Sequence, residues 1–284
     1  MAQLDLRLEA SNLAKFTAKF AADKFAVFPQ PIEGYVRKNV LVETLMGGEP
    51  IVHFMMLPPS SNKQENDKIN RLKLKLSDLG TRLMLKMIFF DNFVHGDLHP
   101  GNLMVQIDKK SGEPRLVVLD CGIVYSTKSE ADHETLTSIC IALMNHDGFS
   151  AARLMMDKSM TKFSKGRDKE GFCSKVQELI DEAETQRYFE HLGEYVTKVC
   201  TLARNHNVRL DPSYFHVAMA LKVVEGISLS LDKELCVVSK CIPIIMKSKT
   251  MRLLGIQKFP TLEDEEREYS KQLAEKSNKS SSRK

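Results

Sequence analysis

Apolar side chains recur every three or four positions over much of this chain, which is the spacing of helices that bury one face. Near the N-terminus this pattern predicts a helix over residues 4–20, with Leu6, Leu13 and Phe20 on its apolar face. A longer stretch of the same kind predicts a second helix over about residues 68–90. Shorter runs of a different type lie between these two helices.

Short runs rich in β-branched and aromatic residues predict strands. The first two are FAVFP (25–29) and NVLVETL (39–45), which are followed by a GGEP turn (47–50) and a polar loop over 58–67. Further along, NLMVQID and PRLVVLD flank the turn sequence KKSGE, so a β-hairpin is predicted over 103–119.

The second half of the chain has a helical pattern almost throughout, from about residue 129 to 254. Residues 261–284 are nearly all charged or polar, and we expect a disordered tail there. The change from strand-like to helical periodicity after Asp120 predicts an α+β fold with a few short strands and a mainly helical second half. A large parallel sheet would contradict this prediction.

The composition is that of an ordinary soluble globular protein, with 43% hydrophobic and 27% charged residues. The net charge of +4 is too small to indicate a nucleic-acid or anionic-membrane partner. The six cysteines show no Cys-x-x-Cys spacing, so neither a zinc site nor a redox pair is predicted. No run of about 18 apolar residues predicts a transmembrane helix, although peripheral association with a membrane stays open.

The stretch FVHGDLHPGNLMV, residues 93–105, places His95, Asp97, His99 and Asn102 between two apolar runs. One interpretation is a tight turn, in which Pro-Gly supplies the bend and the polar groups cap the backbone. A second interpretation is a metal site built from the alternating His95, Asp97 and His99. The chain has no further cluster that supplies a clear fourth ligand.

A third interpretation is phosphoryl transfer, which needs a carboxylate to accept a proton and oxygen ligands to hold Mg²⁺. Kinase-type loops place a base aspartate and a metal-binding asparagine five positions apart, and Asp97 and Asn102 have this spacing. A second metal-binding aspartate, followed by x-Gly, is expected after a hairpin, and Asp120 is followed by Cys121 and Gly122. The three parts in this order are more specific than any one of them alone.

HGDLHPGN followed by LDCG resembles the UbiB-like family of atypical kinases, also called AarF-domain-containing kinases. QLDLRLEASNLAKF looks like that family's helix C, and VLVETLMGGEPI looks like its hinge strand. The resemblance implies a protein-kinase-like fold of the α+β class, consisting mainly of the helical C-lobe with a remnant of the N-lobe, helix C and two short strands. The implied domains are a partial N-lobe over 1–57 and a C-lobe over 58–260, followed by the charged tail.

The same resemblance implies a role for each residue that matches the family's motifs. Asp97 is the expected catalytic base, and Asn102 and Asp120 are the expected metal ligands. Glu9 corresponds to the glutamate that pairs with the ATP-contacting lysine, and Asp5 to the aspartate of the family's Glu-x-Asp motif. The residues implied to bind the nucleotide cofactor lie in helix C, the hinge strand and the HGD motif: Asp5, Glu9, Glu43, Leu45, His95 and His99.

The chain departs from the family's pattern at several points. Gln3 stands where the family has glutamate and Cys121 where it usually has phenylalanine, but neither change removes Asp97 or Asp120. The family's Lys-x-Gly-Gln motif, Ala-rich loop and strand lysine do not occur in this sequence. The chain therefore resembles a kinase fold cut at helix C, and we expect it alone to bind Mg-nucleotide weakly and to turn it over negligibly.

The function implied by the resemblance is that of an atypical kinase or ATPase with ATP or ADP and Mg²⁺ as ligands. The implied setting is mitochondrial, in coenzyme Q or lipid metabolism, with lipid or coenzyme Q biosynthesis proteins as partners and no nucleic acid. Two alternatives stay open. One is a non-catalytic pseudokinase scaffold for lipid-biosynthesis partners, and the other is a small-molecule kinase of the aminoglycoside or choline type, whose loops also read His-Gly-Asp.

Overall fold

The computed structural model of the chain describes residues 5–156, 168–186, 192–210, 212–233 and 237–254. It combines short strands in the first half with helices that dominate the second half, so the predicted α+β class is confirmed. The helices in the described residues are α1 (Leu6–Lys19), α2 (Ile51–Met55), α3 (Lys63–Phe89), α4 (Glu130–Met144), α5 (Gly148–Met155), α6 (Lys169–Gln186), α7 (Leu192–Asn205), α8 (Pro212–Leu231) and α9 (Val237–Leu253). The strands there are β1 (Ala26–Val27), β2 (Pro31–Arg37), β3 (Val40–Glu43), β4 (Glu49–Pro50), β5 (Val94–His95), β6 (Leu103–Ile107), β7 (Pro114–Val118) and β8 (Val124–Tyr125).

Helix α1 confirms the prediction near the N-terminus to within two residues at either end. Its N-cap is Asp5, whose carboxylate accepts a hydrogen bond from the Arg7 amide over 3.1 Å. The apolar face buries Leu13 and Phe16 completely, and Phe20 follows at the C-cap. The Phe16 ring stacks on that of Phe28 with the centroids 5.0 Å apart, which fixes α1 against the chain that follows it.

Helix α3 begins at Lys63, five residues before the predicted start, so the polar loop predicted over 58–67 is wrong in its second half. The Asn62 side chain caps the helix by accepting from the Gln64 amide over 3.0 Å. The first turns of α3 are exposed and carry polar residues, so they show no apolar periodicity. Only the N-cap signal could have indicated the helix start.

The strands form three small sheets. The largest has the order β1-β7-β6-β4, in which β6 and β7 are antiparallel with Leu103 opposite Val118, so the predicted hairpin is confirmed. Strand β2 was not predicted, because most of its residues are exposed and it shows no alternation of apolar and polar side chains. It forms a hairpin with β3. The predicted GGEP turn ends in β4, which pairs with β6.

The buried apolar residues of the described segments form two clusters. The main cluster joins α1, α3, α8 and the β6–β7 hairpin, and the second joins α5, α6 and α7. Helices α3 and α8 pack closely because the residues at their crossing are small, and the Ser77 hydroxyl donates to the Ser228 carbonyl over 3.2 Å. None of the helices in the described segments is both long and apolar enough to span a bilayer. The tail predicted over 261–284 lies outside the described residues.

Candidate active site

Two loops carry the polar residues of the predicted site. We call residues 95–102 the HGD loop, which leads from β5 to β6, and residues 119–123 the DCG loop, which leads from β7 to β8. Strand β5 pairs with β8, and strand β6 pairs with β7. The strands on either side of the HGD loop therefore pair, antiparallel, with the strands on either side of the DCG loop. This pairing holds the two loops next to each other.

Direct hydrogen bonds also join the two loops. The Gly96 amide donates to the Ile123 carbonyl over 2.8 Å at one end, and the Leu119 amide donates to the Asn102 carbonyl over 2.9 Å at the other. Both ends of the DCG loop are therefore fixed to the HGD loop. Asp120, which is distant in sequence from Asp97 and Asn102, is thereby placed on the neighbouring segment.

His95 is a buried brace between the loops, with no exposed surface. Its Nδ1 accepts from the Asp97 amide over 3.2 Å, so the proton lies on Nε2, which points to the Leu119 carbonyl 3.4 Å away. Burial lowers the pKa of His95, while its backbone hydrogen bonds oppose that shift. A neutral imidazole packed near the Phe16 ring positions the loop rather than presenting itself to a ligand.

Asp97 lies near the start of the HGD loop and Asn102 at its end. The Asp97 carboxylate is exposed, whereas Asn102 is 8% exposed and donates from Nδ2 to the Asp97 carbonyl over 3.3 Å. Because Nδ2 makes this bond, Oδ1 is the amide atom that remains for a cation. His99 is exposed, and its Nδ1 accepts from the Gly101 amide over 3.1 Å, which caps the short 3₁₀ turn Pro100–Asn102.

Asp120 has a left-handed backbone conformation, with φ at 47°. This conformation is uncommon outside glycine, and such residues concentrate at functional sites. The Asp120 Oδ1 accepts from the Gly122 amide over 3.2 Å, and its side chain is exposed. The tight turn thus presents a carboxylate to solvent beside the HGD loop.

Glu9 of α1 and Glu43 of β3 contribute further negative charge to the region around Asp120. Burial raises the pKa of Glu9, and the charges of Asp120 and Glu43 raise it further. The pKa of Glu43 is also raised, by burial first and by Asp120 second. A Cβ built on Gly122 would lie 3.3 Å from the Asp120 Oδ1 and 3.9 Å from the Glu9 Oε2, so both carboxylates border the same small space. Carboxylates gathered in this way repel one another unless a cation lies between them.

The other two residues implied to bind nucleotide have different surroundings. Asp5 is the N-cap of α1, and the hydrogen bond from the Arg7 side chain is the main cause that lowers the pKa of Asp5 to about 2. Leu45, just after β3, is 98% exposed. The nucleotide contacts of both residues stay predictions.

Two residues that hold the site together were not singled out from the sequence. The Asn12 Nδ2 donates to the Cys121 carbonyl over 2.8 Å, which ties α1 to the DCG loop. Asn12 lies three positions after Glu9, on the same face of α1. This spacing was the signal in the sequence that could have identified Asn12 as part of the site. Gly96 must lack a side chain, because a Cβ there would lie 2.6 Å from the Ile123 Cγ2 and against the Tyr125 ring.

The donor set suits magnesium bound together with a nucleotide. Asp97, Asn102 and Asp120 offer carboxylate and amide oxygens, which Mg²⁺ prefers. In the part of the chain that the structure describes, no three His, Cys, Asp or Glu side chains are grouped closely enough to hold a metal ion. Kinase-type sites need fewer protein ligands, because phosphate oxygens and water complete the coordination shell. The donors therefore fit Mg-nucleotide better than a metal centre made by the protein alone.

The family model for the ABC1 atypical kinase-like domain matches residues 1–155, more than half of the chain. The chain belongs to this family. An ABC1 domain is protein-kinase-like, so the kinase-like fold class predicted from the motifs is confirmed as well. The family assignment makes a separate aminoglycoside- or choline-kinase origin for the His-Gly-Asp loop unnecessary.

Individual relatives match most of this chain but less than half of their own length. A mitochondrial ABC1 family protein of Saccharomyces cerevisiae is 28% identical, over 86% of this chain and 43% of that protein. A mitochondrial ABC1 family protein of Schizosaccharomyces pombe is 25% identical, over 87% of this chain and 40% of that protein. A probable protein kinase UbiB of Pseudomonas putida is 27% identical, over 86% of this chain and 43% of that protein.

Proposed function

We propose that the HGD and DCG loops form the Mg-nucleotide site of a UbiB-type atypical kinase or ATPase. The observation that carries this proposal is the pair of backbone hydrogen bonds, Gly96 to Ile123 and Leu119 to Asn102, that holds the two loops side by side. They keep oxygen donors from distant parts of the sequence on neighbouring segments. Preorganised positioning of this kind is the main contribution a protein makes to phosphoryl transfer.

Four residues of the two loops have distinct proposed roles. The exposed Asp97 carboxylate accepts the proton of the attacking hydroxyl or water. The Asn102 Oδ1 and the Asp120 carboxylate hold Mg²⁺, which neutralises charge on the phosphates when it is bound. His95 keeps the HGD loop in place through its two backbone contacts.

The nucleotide-binding residues outside these roles are proposals that rest on the family pattern. We propose that Glu43 and Leu45 lie in the hinge segment, that Glu9 and Asp5 belong to the helix-C side of the site, and that His99 lies near the phosphates. The proximity of Glu9 and Glu43 to Asp120 supports a shared site for the first two. The division into a partial N-lobe over 1–57 and a C-lobe over 58–260 is proposed on the same basis.

The cellular setting is proposed from the relatives. Two of them are mitochondrial ABC1 family proteins and another is a probable protein kinase UbiB. We therefore propose a mitochondrial location. On the family pattern we also propose a role in coenzyme Q or lipid metabolism, with proteins of those pathways as partners. Because the chain spans 43% of the yeast relative, phosphoryl transfer is proposed for a complete kinase domain and Mg-nucleotide binding for this chain.

The test is titration calorimetry of the 284-residue chain with ADP in the presence and absence of Mg²⁺. Asp120→Asn and Asn102→Ala should each weaken Mg-dependent binding at least about tenfold, because each removes a ligand oxygen from the ion. Asp67→Asn makes the same charge change on an exposed turn of α3 and should leave binding unchanged.

Three outcomes would count against the proposal. Mg-dependent binding that Asp120→Asn and Asn102→Ala both leave intact would place the nucleotide elsewhere. In a complete kinase domain that contains this chain, phosphate release that survives Asp97→Asn would remove Asp97 from its role as the base. A folded chain without any nucleotide binding would favour the pseudokinase scaffold instead.

A further inference from the structure

An apolar cavity of about 150 Å³ lies among the helices of the second half, away from the HGD and DCG loops. Helices α4, α7 and α8 supply most of its walls, and α3, α5, α6 and α9 supply single residues. Residues that show its character are Leu136, Cys140, Val199, Val217 and Leu221. The cavity lies where the main apolar cluster meets the second one.

The walls offer almost nothing to which water could donate or accept a hydrogen bond. They consist of aliphatic side chains, thioethers, thiols and the rings of Tyr195 and Tyr214. A buried water needs two to four polar partners, and an apolar cavity of about this volume stays dry and binds benzene-sized molecules. Native interiors contain few voids larger than a water molecule, so an apolar space of this size favours an apolar occupant.

The side chains around the cavity are also adaptable. Met144 and Met155 contribute flexible thioethers, which adjust to irregular ligands. Burial raises the pKa of Cys140 to about 12 and also raises the pKa of Cys200. Both thiols therefore stay neutral at cellular pH and act as small apolar groups.

We propose that this cavity binds the hydrocarbon chain of an amphiphile and leaves its polar head outside. The volume suits a segment of about six carbons, by comparison with a benzene-binding cavity of the same size. The cavity is partly open to solvent, which gives the head group a place to remain hydrated. The proposal rests on the walls of the cavity and not on the nucleotide site, so either can fail without the other.

The test compares hexan-1-ol with hexane-1,6-diol, which has the same chain length but would bury a second hydroxyl without a partner. The chain is labelled with ¹³C at the methionine methyl groups and titrated with each compound. Hexan-1-ol should shift the signals of Met144 and Met155, while Met246, which is 59% exposed, serves as the internal control. At a concentration ten times its dissociation constant, hexan-1-ol should also raise the melting temperature of the chain by about 2–3 °C. The diol should neither shift the methionine signals nor raise the melting temperature.

A variant whose cavity is filled by a larger side chain, compared with a control variant that carries the same substitution outside the cavity, tests the position of the site. Ala218→Phe places a ring in the space and should abolish both responses to hexan-1-ol. Ala142→Phe adds the same ring on α4 outside the cavity and should preserve them. If the Phe variant does not fold, Ala218→Leu fills the space partly and should weaken the binding instead.

Three results would overturn the proposal. Met144 and Met155 signals that ignore hexan-1-ol in the unmodified chain would show that the space does not admit a chain. Equal responses to the alcohol and the diol would show that the site is not selective for hydrocarbon. A response that persists in the folded Ala218→Phe variant would place the binding elsewhere.

Discussion

At the scale of single residues, the candidate site depends on a few side chains whose role is to hold backbone. His95 belongs to the polar HGD motif, yet it is buried and both of its ring nitrogens contact backbone groups. Asn12, which no motif contains, links α1 to the DCG loop. The residues with exposed oxygens, Asp97 and Asp120, are therefore supported by neighbours whose polar atoms bond to the backbone.

Gly122 gives the most direct prediction at this scale. Ala at this position would place a methyl group 3.3 Å from the Asp120 Oδ1, in the space that Asp120 and Glu9 share. We expect Gly122→Ala to weaken Mg-nucleotide binding about tenfold or more while changing the free energy of unfolding by less than about 1 kcal/mol. Calorimetry and urea denaturation measure the two quantities.

Gly226→Ala is the control for this change. A Cβ at Gly226 would meet nothing within 4 Å, and the residue lies within α8, where alanine is the better helix former. Its binding constant should equal that of the unmodified chain. Unchanged nucleotide binding in Gly122→Ala would mean that the space beside Asp120 is not part of the nucleotide site.

At the scale of elements, the C-terminal end of α3 is held by α4 and α9. The His133 Nε2 donates to the Ile88 carbonyl over 2.8 Å, and the Arg252 guanidinium donates both to the His133 Nδ1 over 2.9 Å and to the Phe89 carbonyl over 2.7 Å. The Ser248 hydroxyl donates to the same Phe89 carbonyl. Carbonyls that a helix end leaves unsatisfied are thus paired just before the chain turns towards β5 and the HGD loop.

This arrangement predicts a pH dependence of stability. Burial lowers the pKa of His133 from 6.5 to about 4, because a charged ring would be desolvated beside the Arg252 cation. The unfolded chain therefore binds a proton at higher pH than the folded chain does. The contribution of His133 to the free energy of unfolding is therefore fully present above about pH 6.5. It is lost as the pH falls towards 4, by up to about 3 kcal/mol.

The measurement is urea denaturation at a series of pH values between 4 and 7. His133→Gln should flatten the dependence in this window, because glutamine keeps a donor and an acceptor but takes up no proton. His53→Gln is the control: His53 is exposed on α2, where its Nε2 lies 3.5 Å from the Glu49 Oε2, and its replacement should leave the slope due to His133 in place. Equal slopes for the unmodified chain and His133→Gln would contradict the assignment to His133.

At the scale of the whole molecule, the two apolar clusters differ in how they are built. The main cluster is continuous from α1 through α3 to α8 and includes the hairpin beneath the candidate site. The second cluster is smaller and is separated from the main one in part by the apolar cavity. Side chains that line a void lack packing partners on one side. The free-energy cost of opening the second cluster locally is therefore lowered.

Hydrogen exchange should therefore be uneven across the chain. We expect the amides of α6 and α7 to exchange at least about tenfold faster than those in the second half of α3, because their cluster can open without disrupting the main one. Exchange followed by mass spectrometry resolves these helices. Saturating hexan-1-ol should slow the exchange of α7, and indistinguishable rates for α3 and α7 without ligand would contradict the two-cluster description.

The sequence by itself determined the elements whose signals are local. Apolar periodicity indicated α1 and the body of α3, and turn residues between two β-type runs indicated the β6–β7 hairpin. The five-residue spacing of Asp97 and Asn102 likewise singled out the HGD loop. These features depend on residues close together in the chain. Side-chain period and turn chemistry are therefore sufficient to reveal them.

Only the tertiary structure decided the features that depend on distant partners. Strand β2 has no alternating pattern of its own and becomes a strand through its pairing with β3. The pairing of the HGD and DCG loops, the contact of His95 with Leu119 and the approach of Glu9 to Asp120 each join residues at least 17 positions apart. The apolar cavity likewise has walls from seven helices. Burial, hydrogen bonding and charge at such places are set by which segments meet, and a local sequence pattern carries no information about that meeting.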